Sequence, residues 1–143
     1  MDFFEKFARE HGLRLLQPLG GKPETIWLAQ TAEGEPRVLR RYAGRDTLCR
    51  KLGEIPGVVF DVPGGAFYVM AALPVDDADK FQQWLLEEFS DNGETVMMAP
   101  GGSMYATPGK GKNEVRMAYV LESDKLERAM EILKKAIEAY NAR

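Results

Sequence analysis

The stretch Glu114-Val115-Arg116-Met117-Ala118-Tyr119-Val120 combines the alternating pattern of a β-strand with an arginine at its centre. The alternation puts Val115, Met117 and Tyr119 on one face of the strand. Arg116 points to the other face, where its neighbours are mostly small or apolar. A guanidinium in such a place must find a partner, or folding is penalised by roughly several kcal/mol. Its planar fork suits a carboxylate, which comes either from the protein itself or from a bound molecule.

The sequence around this strand alternates between helical and strand patterns. Strands are predicted at residues 58–62, 66–72, 95–99 and 114–121, and a long loop at 100–113. Helices are predicted at residues 45–52, from the caps Asp76 and Asp77 onward with Gly93 at or just beyond the end, and at the C-terminus. Apolar residues at helical spacing define the last two helices: Ala78, Phe81, Trp84, Leu85 and Phe89, then Leu126, Ala129, Met130, Leu133, Ile137 and Tyr140. This order predicts an α/β fold of the α+β type, a two-layer sandwich of one sheet and its helices.

The first third of the chain has a different pattern. Phe3, Phe4 and Phe7 predict a short amphipathic helix that ends near His11-Gly12. Strands follow at residues 13–17, 25–30 and 37–42, with turns at 18–23 and 32–35. These elements predict a helix and a three-stranded antiparallel meander.

A series of short motifs runs in order through the chain from about Arg45 onward. The motifs are Arg45-Asp46-Thr47-Leu48, Ile55-Pro56-Gly57-Val58, Pro63-Gly64-Gly65-Ala66-Phe67-Tyr68-Val69-Met70, Leu73-Pro74-Val75-Asp76-Asp77-Ala78, Phe81 with Trp84-Leu85-Leu86, Gly93-Glu94-Thr95-Val96-Met97, and Tyr105-Ala106-Thr107-Pro108-Gly109. In order and spacing they resemble the C-terminal small domain of the class I/II, fold-type I pyridoxal-phosphate aminotransferases, most closely the aspartate-type branch. The resemblance implies two domains: residues 1–44, a helix and meander of uncertain origin, and residues 45–143, an aminotransferase-type small domain.

The resemblance also gives Arg116 a role. It places Arg116 at the arginine that grips the substrate α-carboxylate in that family. The family's Schiff-base lysine, its aspartate on the pyridine nitrogen, and its asparagine and tyrosine on the phenolic oxygen belong to a large domain that this sequence does not contain. We therefore expect Arg116 as the substrate-binding residue, no catalytic, cofactor-binding or metal-binding residue, and no pyridoxal phosphate bound by this chain alone.

Three functions remain open at this stage. The first is a truncated or fused aminotransferase domain, inactive alone, whose Arg116 serves a transaminase site completed by a large-domain chain. The second is a non-catalytic binding or interaction module that recognises small carboxylates or self-associates as a dimer or higher oligomer. The third is a fragment without a selected function.

The segment from residue 13 to residue 42 resembles, more loosely, the first strands of a protein-kinase N-lobe. The matching pieces are Leu15-Leu16-Gln17-Pro18-Leu19-Gly20-Gly21-Lys22, Thr25-Ile26-Trp27-Leu28-Ala29 and Arg37-Val38-Leu39-Arg40-Arg41-Tyr42. The glycine loop is incomplete, and Arg40 or Arg41 stands where the ATP-binding lysine would be. The alternative is a generic meander, and kinase activity is not expected on either interpretation.

Composition excludes several classes of function. The net charge of −3 does not favour a nucleic-acid partner. No apolar run approaches the roughly 18 residues of a membrane span, and the N-terminus does not resemble a signal peptide. Cys49 is the one cysteine, so no intrachain disulfide can form, and a cytoplasmic location with a buried thiol is expected.

Two weaker candidates also have ordinary explanations. His11 is the only histidine and lies at a predicted helix end, so a cap role is favoured over catalysis, and the usual zinc site cannot be assembled. The glycine-rich loop 100–113 carries Lys110 and Lys112, as a phosphate-binding loop would. It lacks the Gly-x-x-x-x-Gly-Lys-Ser/Thr pattern, which favours a simple loop before a strand.

Overall fold

The computed structural model describes residues 2–20 and 25–143. The chain divides into two compact units, Met1–Ala43 and Gly44–Arg143. Part of the turn predicted at residues 18–23, including Lys22, lies outside the described residues.

The first unit is a helix and an antiparallel meander. Helix α1 spans Phe3–Glu10, and strands β1, β2 and β3 span Arg14–Pro18, Ile26–Gln30 and Pro36–Arg40, in the order β1-β2-β3. The Asp2 side chain caps α1 by accepting from the backbone N–H of Phe4, and Glu5 completes the capping box. Phe4 is buried with its ring 6.3 Å from that of Trp27. The predicted helix and meander are confirmed.

The second unit is a four-stranded antiparallel sheet with three helices. Helix α2 spans Ala43–Gly53, β4 Val59–Phe60, β5 Tyr68–Ala72, α3 Ala78–Glu87, β6 Ala99–Pro100, β7 Glu114–Ala118 and α4 Ser123–Asn141. The strands are ordered β4-β5-β7-β6. The two central strands pair with Tyr68 opposite Ala118 and Met70 opposite Arg116. This arrangement confirms the predicted mixed α and β fold.

The core of the second unit lies between one face of the sheet and the helices. The sheet contributes Val69, Ala71, Val115 and Met117, and the helices contribute mainly Leu48, Leu52, Phe81, Leu85, Leu126 and Leu133, all of them buried. Gly44 permits a close approach within this core, because a Cβ there would lie 2.5 Å from Leu126 Cδ1 and 2.5 Å from the carbonyl oxygen of Tyr119. The other face of the sheet is left for the site described below.

The strand predicted at residues 95–99 is wrong except at its end, since β6 contains only Ala99 and Pro100. The buried side chain of Gln82 on α3 takes the place of a neighbouring strand. Its amide oxygen accepts from the N–H of Met98 at 2.7 Å, and its amide nitrogen donates to the carbonyl of Val96 at 3.4 Å. The backbone is therefore paired without a β-ladder.

The strands predicted at residues 66–72 and 114–121 are shorter than expected, for one reason. Ala66 has a φ of 62°, in the left-handed region, so β5 cannot extend back through it and begins at Tyr68. Tyr68 pairs with Ala118 at the end of the ladder, and beyond it the N–H of Tyr119 still donates to the carbonyl of Phe67 at 2.9 Å. The strand predicted at residues 58–62 is likewise reduced to Val59–Phe60.

The helices lie where they are predicted, except that α3 ends at Glu87, well before the end predicted at Gly93. Asp77 caps α3 as predicted, whereas the Asp76 carboxylate accepts the Tyr140 hydroxyl at 2.8 Å. Phe89 lies beyond the end of α3, although its ring still packs 5.1 Å from that of Trp84. The buried face of α4 contains the predicted residues and also Ile132 and Ala136, while Ala129 is only half-buried.

Candidate functional site

Strand β7 separates a buried face from an open one, as its alternation predicts. Val115, Met117 and Tyr119 are each at most 4% exposed. Arg116 and Ala118 are exposed on the opposite face. The prediction that Arg116 must be paired in order to fold is wrong, because its exposed guanidinium keeps its contact with water.

Small and flexible side chains surround Arg116 on the open face. Its register partners are Met70 on β5 and Ala99 on β6, both half-buried. Its Cζ lies 5.3 Å from the ring centroid of Tyr68, within the range of a cation–π contact. Within residues 2–20 and 25–143, no carboxylate forms an ion pair with Arg116. The guanidinium is thus held by an aromatic face, and its N–H edge faces no protein carboxylate.

The carboxylate nearest to Arg116 in sequence on this face is engaged elsewhere. Glu114 accepts the Tyr105 hydroxyl at 2.5 Å. This hydrogen bond raises the pKa of the Tyr105 phenol above its ordinary value, with smaller contributions from burial and from the Glu114 charge. Lys110 lies over the Tyr105 ring, with Nζ 5.2 Å from the centroid. Glu114 is therefore a partner of Tyr105.

The loop between β6 and β7 brings Tyr105 to this position. It contains a 3₁₀ turn at Gly102–Met104 and runs directly into β7. Gly111 has a φ of 69°, and a Cβ there would lie 2.2 Å from the Tyr105 ring. Lys112 forms an ion pair with Asp77 at 3.9 Å. The loop thus precedes a strand, as the simpler interpretation had it, and its two lysines have partners within the second unit.

The described lysines offer no buried anchor for pyridoxal phosphate. All of them are exposed except the half-buried Lys51, which pairs with Glu54 at 3.5 Å. Arg116 and the Tyr105–Glu114 pair lie on the open face, but Lys110, the lysine beside them, is an exposed loop residue over the Tyr105 ring. The residues fit recognition of a carboxylate, and they do not fit the anchoring of that cofactor.

The remaining candidates have structural roles. His11 forms the C-cap of α1, and its Nδ1 lies 2.9 Å from the carbonyl oxygen of Phe7. Cys49 is 8% exposed, and burial raises the pKa of its thiol above the ordinary value. No cluster of three or more His, Cys, Asp or Glu side chains suited to a metal occurs among the described residues. None of the helices in the described ranges has the length and hydropathy that a membrane span requires.

The sequence points to Arg116, but not to Tyr68, which contacts its guanidinium, or to Tyr105, which binds the neighbouring Glu114. Both tyrosines belong to the motifs quoted above, but their partners are set by strand register and by loop geometry. Two glycines within three residues, Gly109 and Gly111, were the available signal that this loop folds tightly.

Comparison with known proteins shows which proteins this chain is similar to. No protein-family model matches the chain. An aspartate aminotransferase of Pyrococcus horikoshii is 32% identical over 96 residues, which are 66% of this chain and 22% of that protein. An aspartate aminotransferase of Bacillus subtilis strain 168 is 34% identical over 103 residues, 67% of this chain and 24% of that protein. Two thirds of this chain resemble the aminotransferases.

Solved structures agree with this similarity. The crystal structure of Pyrococcus horikoshii kynurenine aminotransferase, in complex with PMP and with KYN as substrates and KYA as products, matches with a TM-score of 0.57 at 25% identity. The match covers 67% of this chain and 23% of that one. The predicted resemblance to aminotransferases and the predicted fold class are therefore confirmed. The chain spans about a quarter of the length of these relatives, so their whole activity is not transferred to it.

The predicted kinase resemblance of residues 13–42 has a different status. The three strands form the antiparallel meander that both interpretations required. Lys22 and the adjoining Gly21 lie outside the described residues. The resemblance stays a prediction, and the generic meander accounts for all that is described there.

Proposed function

We propose that the second unit is a carboxylate-recognition domain of the aminotransferase type, and that Arg116 binds the α-carboxylate of an amino acid or keto acid. One observation carries the proposal: Arg116 projects from a central strand onto an open sheet face with no protein carboxylate paired to it in the described part of the chain. An arginine fork in that position offers two parallel N–H donors to a planar carboxylate.

The surroundings of Arg116 support ligand binding over a structural role. Tyr68 contacts the guanidinium, with its ring centroid 5.3 Å from Cζ, and Arg116 stays exposed. Ala99 and Ala118 on the same face are too small to cover it. The exposed guanidinium is therefore accessible to a ligand carboxylate.

The other groups of a transaminase site come, in this proposal, from outside residues 1–143. The chain matches about a quarter of the aspartate aminotransferases named above. Pyridoxal phosphate, when bound by a large domain outside these residues, supplies the electron sink for chemistry at the α-carbon. This chain supplies the orientation of the substrate, since a carboxylate fixed at Arg116 sets the position of the rest of the molecule.

Succinate titration of the full chain, followed by NMR or calorimetry, tests the proposal. We expect weak, millimolar binding for a single exposed fork, and at least a roughly tenfold loss in Arg116→Ala. Arg37→Ala is the matched control, because Arg37 is also an exposed strand arginine but pairs with Glu35 at 2.6 Å in the first unit. Equal binding by wild type and Arg116→Ala would contradict the proposal.

Borohydride reduction in the presence of pyridoxal phosphate is the second arm of the same test. Peptide mapping is expected to find scattered or absent labelling, because the described lysines lie on the surface apart from half-buried Lys51. A single adduct on one lysine at low cofactor concentration would show that the chain holds a cofactor site of its own. The proposal that the cofactor is supplied from outside would then be abandoned.

A second candidate function, an interaction module that self-associates, is favoured by apolar side chains on the surface of the second unit. The most exposed are Val59, Val62, Met97 and Val120, each at least 60% exposed. This candidate predicts no dependence of succinate binding on Arg116. The titration above therefore separates the two functions.

A further inference from the structure

Glu114 and Arg116 occupy positions from which they could form an ion pair. Both belong to β7, two residues apart, and both side chains lie on the open face. Two residues of strand span roughly 7 Å, which these two long side chains easily bridge. An acid and a base so placed would ordinarily neutralise each other on an exposed face.

The two side chains are instead directed away from each other. The Glu114 carboxylate accepts the Tyr105 hydroxyl, at 2.5 Å. The Arg116 guanidinium lies on the ring of Tyr68, which pairs with Ala118, on the side of Arg116 away from Glu114. An aromatic partner on each side thus separates the charges.

Tyr105 is held firmly enough to act as such a partner. Its ring lies where a Cβ of residue 111 would be, so only glycine leaves the necessary space. Lys110 covers the ring, and the N–H of Gly101 donates to the carbonyl of Glu114 at 2.6 Å. The loop is therefore tied to β7 at the residue whose side chain Tyr105 binds.

We infer that Tyr105 is a positioning residue that holds the Glu114 carboxylate away from Arg116 and so keeps the guanidinium available to a carboxylate ligand. Without the phenol, Glu114 is free to turn along the strand and pair with Arg116. It then competes with any external carboxylate. The effect on affinity rests on the proposed function, whereas the change in pairing does not.

Tyr105→Phe tests this inference, because the substitution removes the hydroxyl and keeps the ring against Gly111. Succinate affinity is expected to fall by about two- to fivefold, the size of a competing surface ion pair. The double variant Tyr105→Phe with Glu114→Gln is expected to bind succinate as wild type does. A loss that persists in the double variant would mean a damaged fold, and would overturn the inference.

A readout without ligand keeps this test separate from that of the proposed function. The ¹⁵N-resolved Nε–H signal of Arg116, assigned by its absence in Arg116→Ala, reports directly on pairing of the guanidinium. The chemical shift of this signal is expected to change in Tyr105→Phe and to regain its wild-type value in the double variant. An unchanged signal in Tyr105→Phe overturns the inference. If wild type fails to bind succinate but the signal shifts and returns, the proposed function fails and the inference stands.

Discussion

Two arginines of the second unit, Arg128 and Arg116, have opposite surroundings. Arg128 on α4 contacts Asp91 and Glu94 at 2.8 Å and Glu131 at 3.8 Å. The hydrogen bonds that its guanidinium donates to Glu94 and then to Asp91 raise its pKa above the ordinary value. Arg116 has one aromatic contact, and within the described residues it forms no ion pair.

This difference separates a structural arginine from one that is available for recognition. Acidic residues near Arg128 link the turn at residues 91–94 to helix α4. Lys135 of the same helix also pairs with Asp91 at 2.9 Å. Beside Arg116 the nearest acid in sequence is bound to Tyr105. The lack of a partner at Arg116 thus reflects the arrangement of this face, because acids are available elsewhere in the same unit.

The largest expected effect is on stability. Arg128→Ala removes the cation that joins Asp91 and Glu94 to α4, while Lys135 still pairs with Asp91. Because Arg128 belongs to a network of charges, its urea midpoint is expected to fall below that of Arg116→Ala. Arg116→Ala should change the free energy of unfolding by no more than about 0.5 kcal/mol, as an exposed substitution does. Trp84 fluorescence in a Trp27→Phe background restricts the measurement to the second unit. Equal urea midpoints for Arg128→Ala and Arg116→Ala would show that Arg128 contributes no more to stability than Arg116 does.

A smaller effect is expected when an acid is introduced beside Arg116. Ala118→Glu places a carboxylate on the same face, two residues from Arg116 and opposite Tyr68. Succinate affinity should fall by about two- to fivefold, since the new acid competes for the guanidinium. Ala118→Gln has the same size without the charge and is the matched control. If the two variants weaken binding equally, competition by charge is not the cause.

The smallest effect concerns pH. Hydrogen bonds from Lys135 and then from Arg128 hold the pKa of Asp91 below its ordinary value of 3.8. Because the folded pKa lies below the unfolded one, this stabilisation is present above the unfolded value and is lost as pH falls through the folded one. The stability gap between wild type and Arg128→Ala should therefore narrow below about pH 4. A gap that stays constant down to pH 3 would show that Asp91 is not the partner that matters.

Periodicity predicted most of the fold. The alternation of Val115, Met117 and Tyr119 identified β7 and its buried face, and helical spacing identified α3 and α4. The strand at residues 95–99 failed because Gln82, which lies far from it in sequence, satisfies its backbone. When a side chain takes the place of a neighbouring strand in this way, the sequence shows no periodic pattern that would reveal it.

The candidate site was predicted only at its centre. Arg116 was identified from its place in an apolar strand, and the family resemblance supplied the role proposed for it. The expectation that it needed a partner failed, since exposure depends on whether anything covers that face. Tyr105 and Tyr68 reach their partners through loop geometry and strand register, which a single sequence does not encode as a local pattern.

The Gln82 side chain also bears on how the protein behaves when it is concentrated. An unpaired strand edge is a template on which a second chain can add a strand, and this is a common first step toward aggregation. Just before β6, at one edge of the sheet, the N–H of Met98 and the C=O of Val96 are already hydrogen-bonded to Gln82. At the other edge, strand β4 is only two residues long. Both margins of the four-stranded sheet are therefore poor templates, and copies of the chain that do associate would meet through side chains.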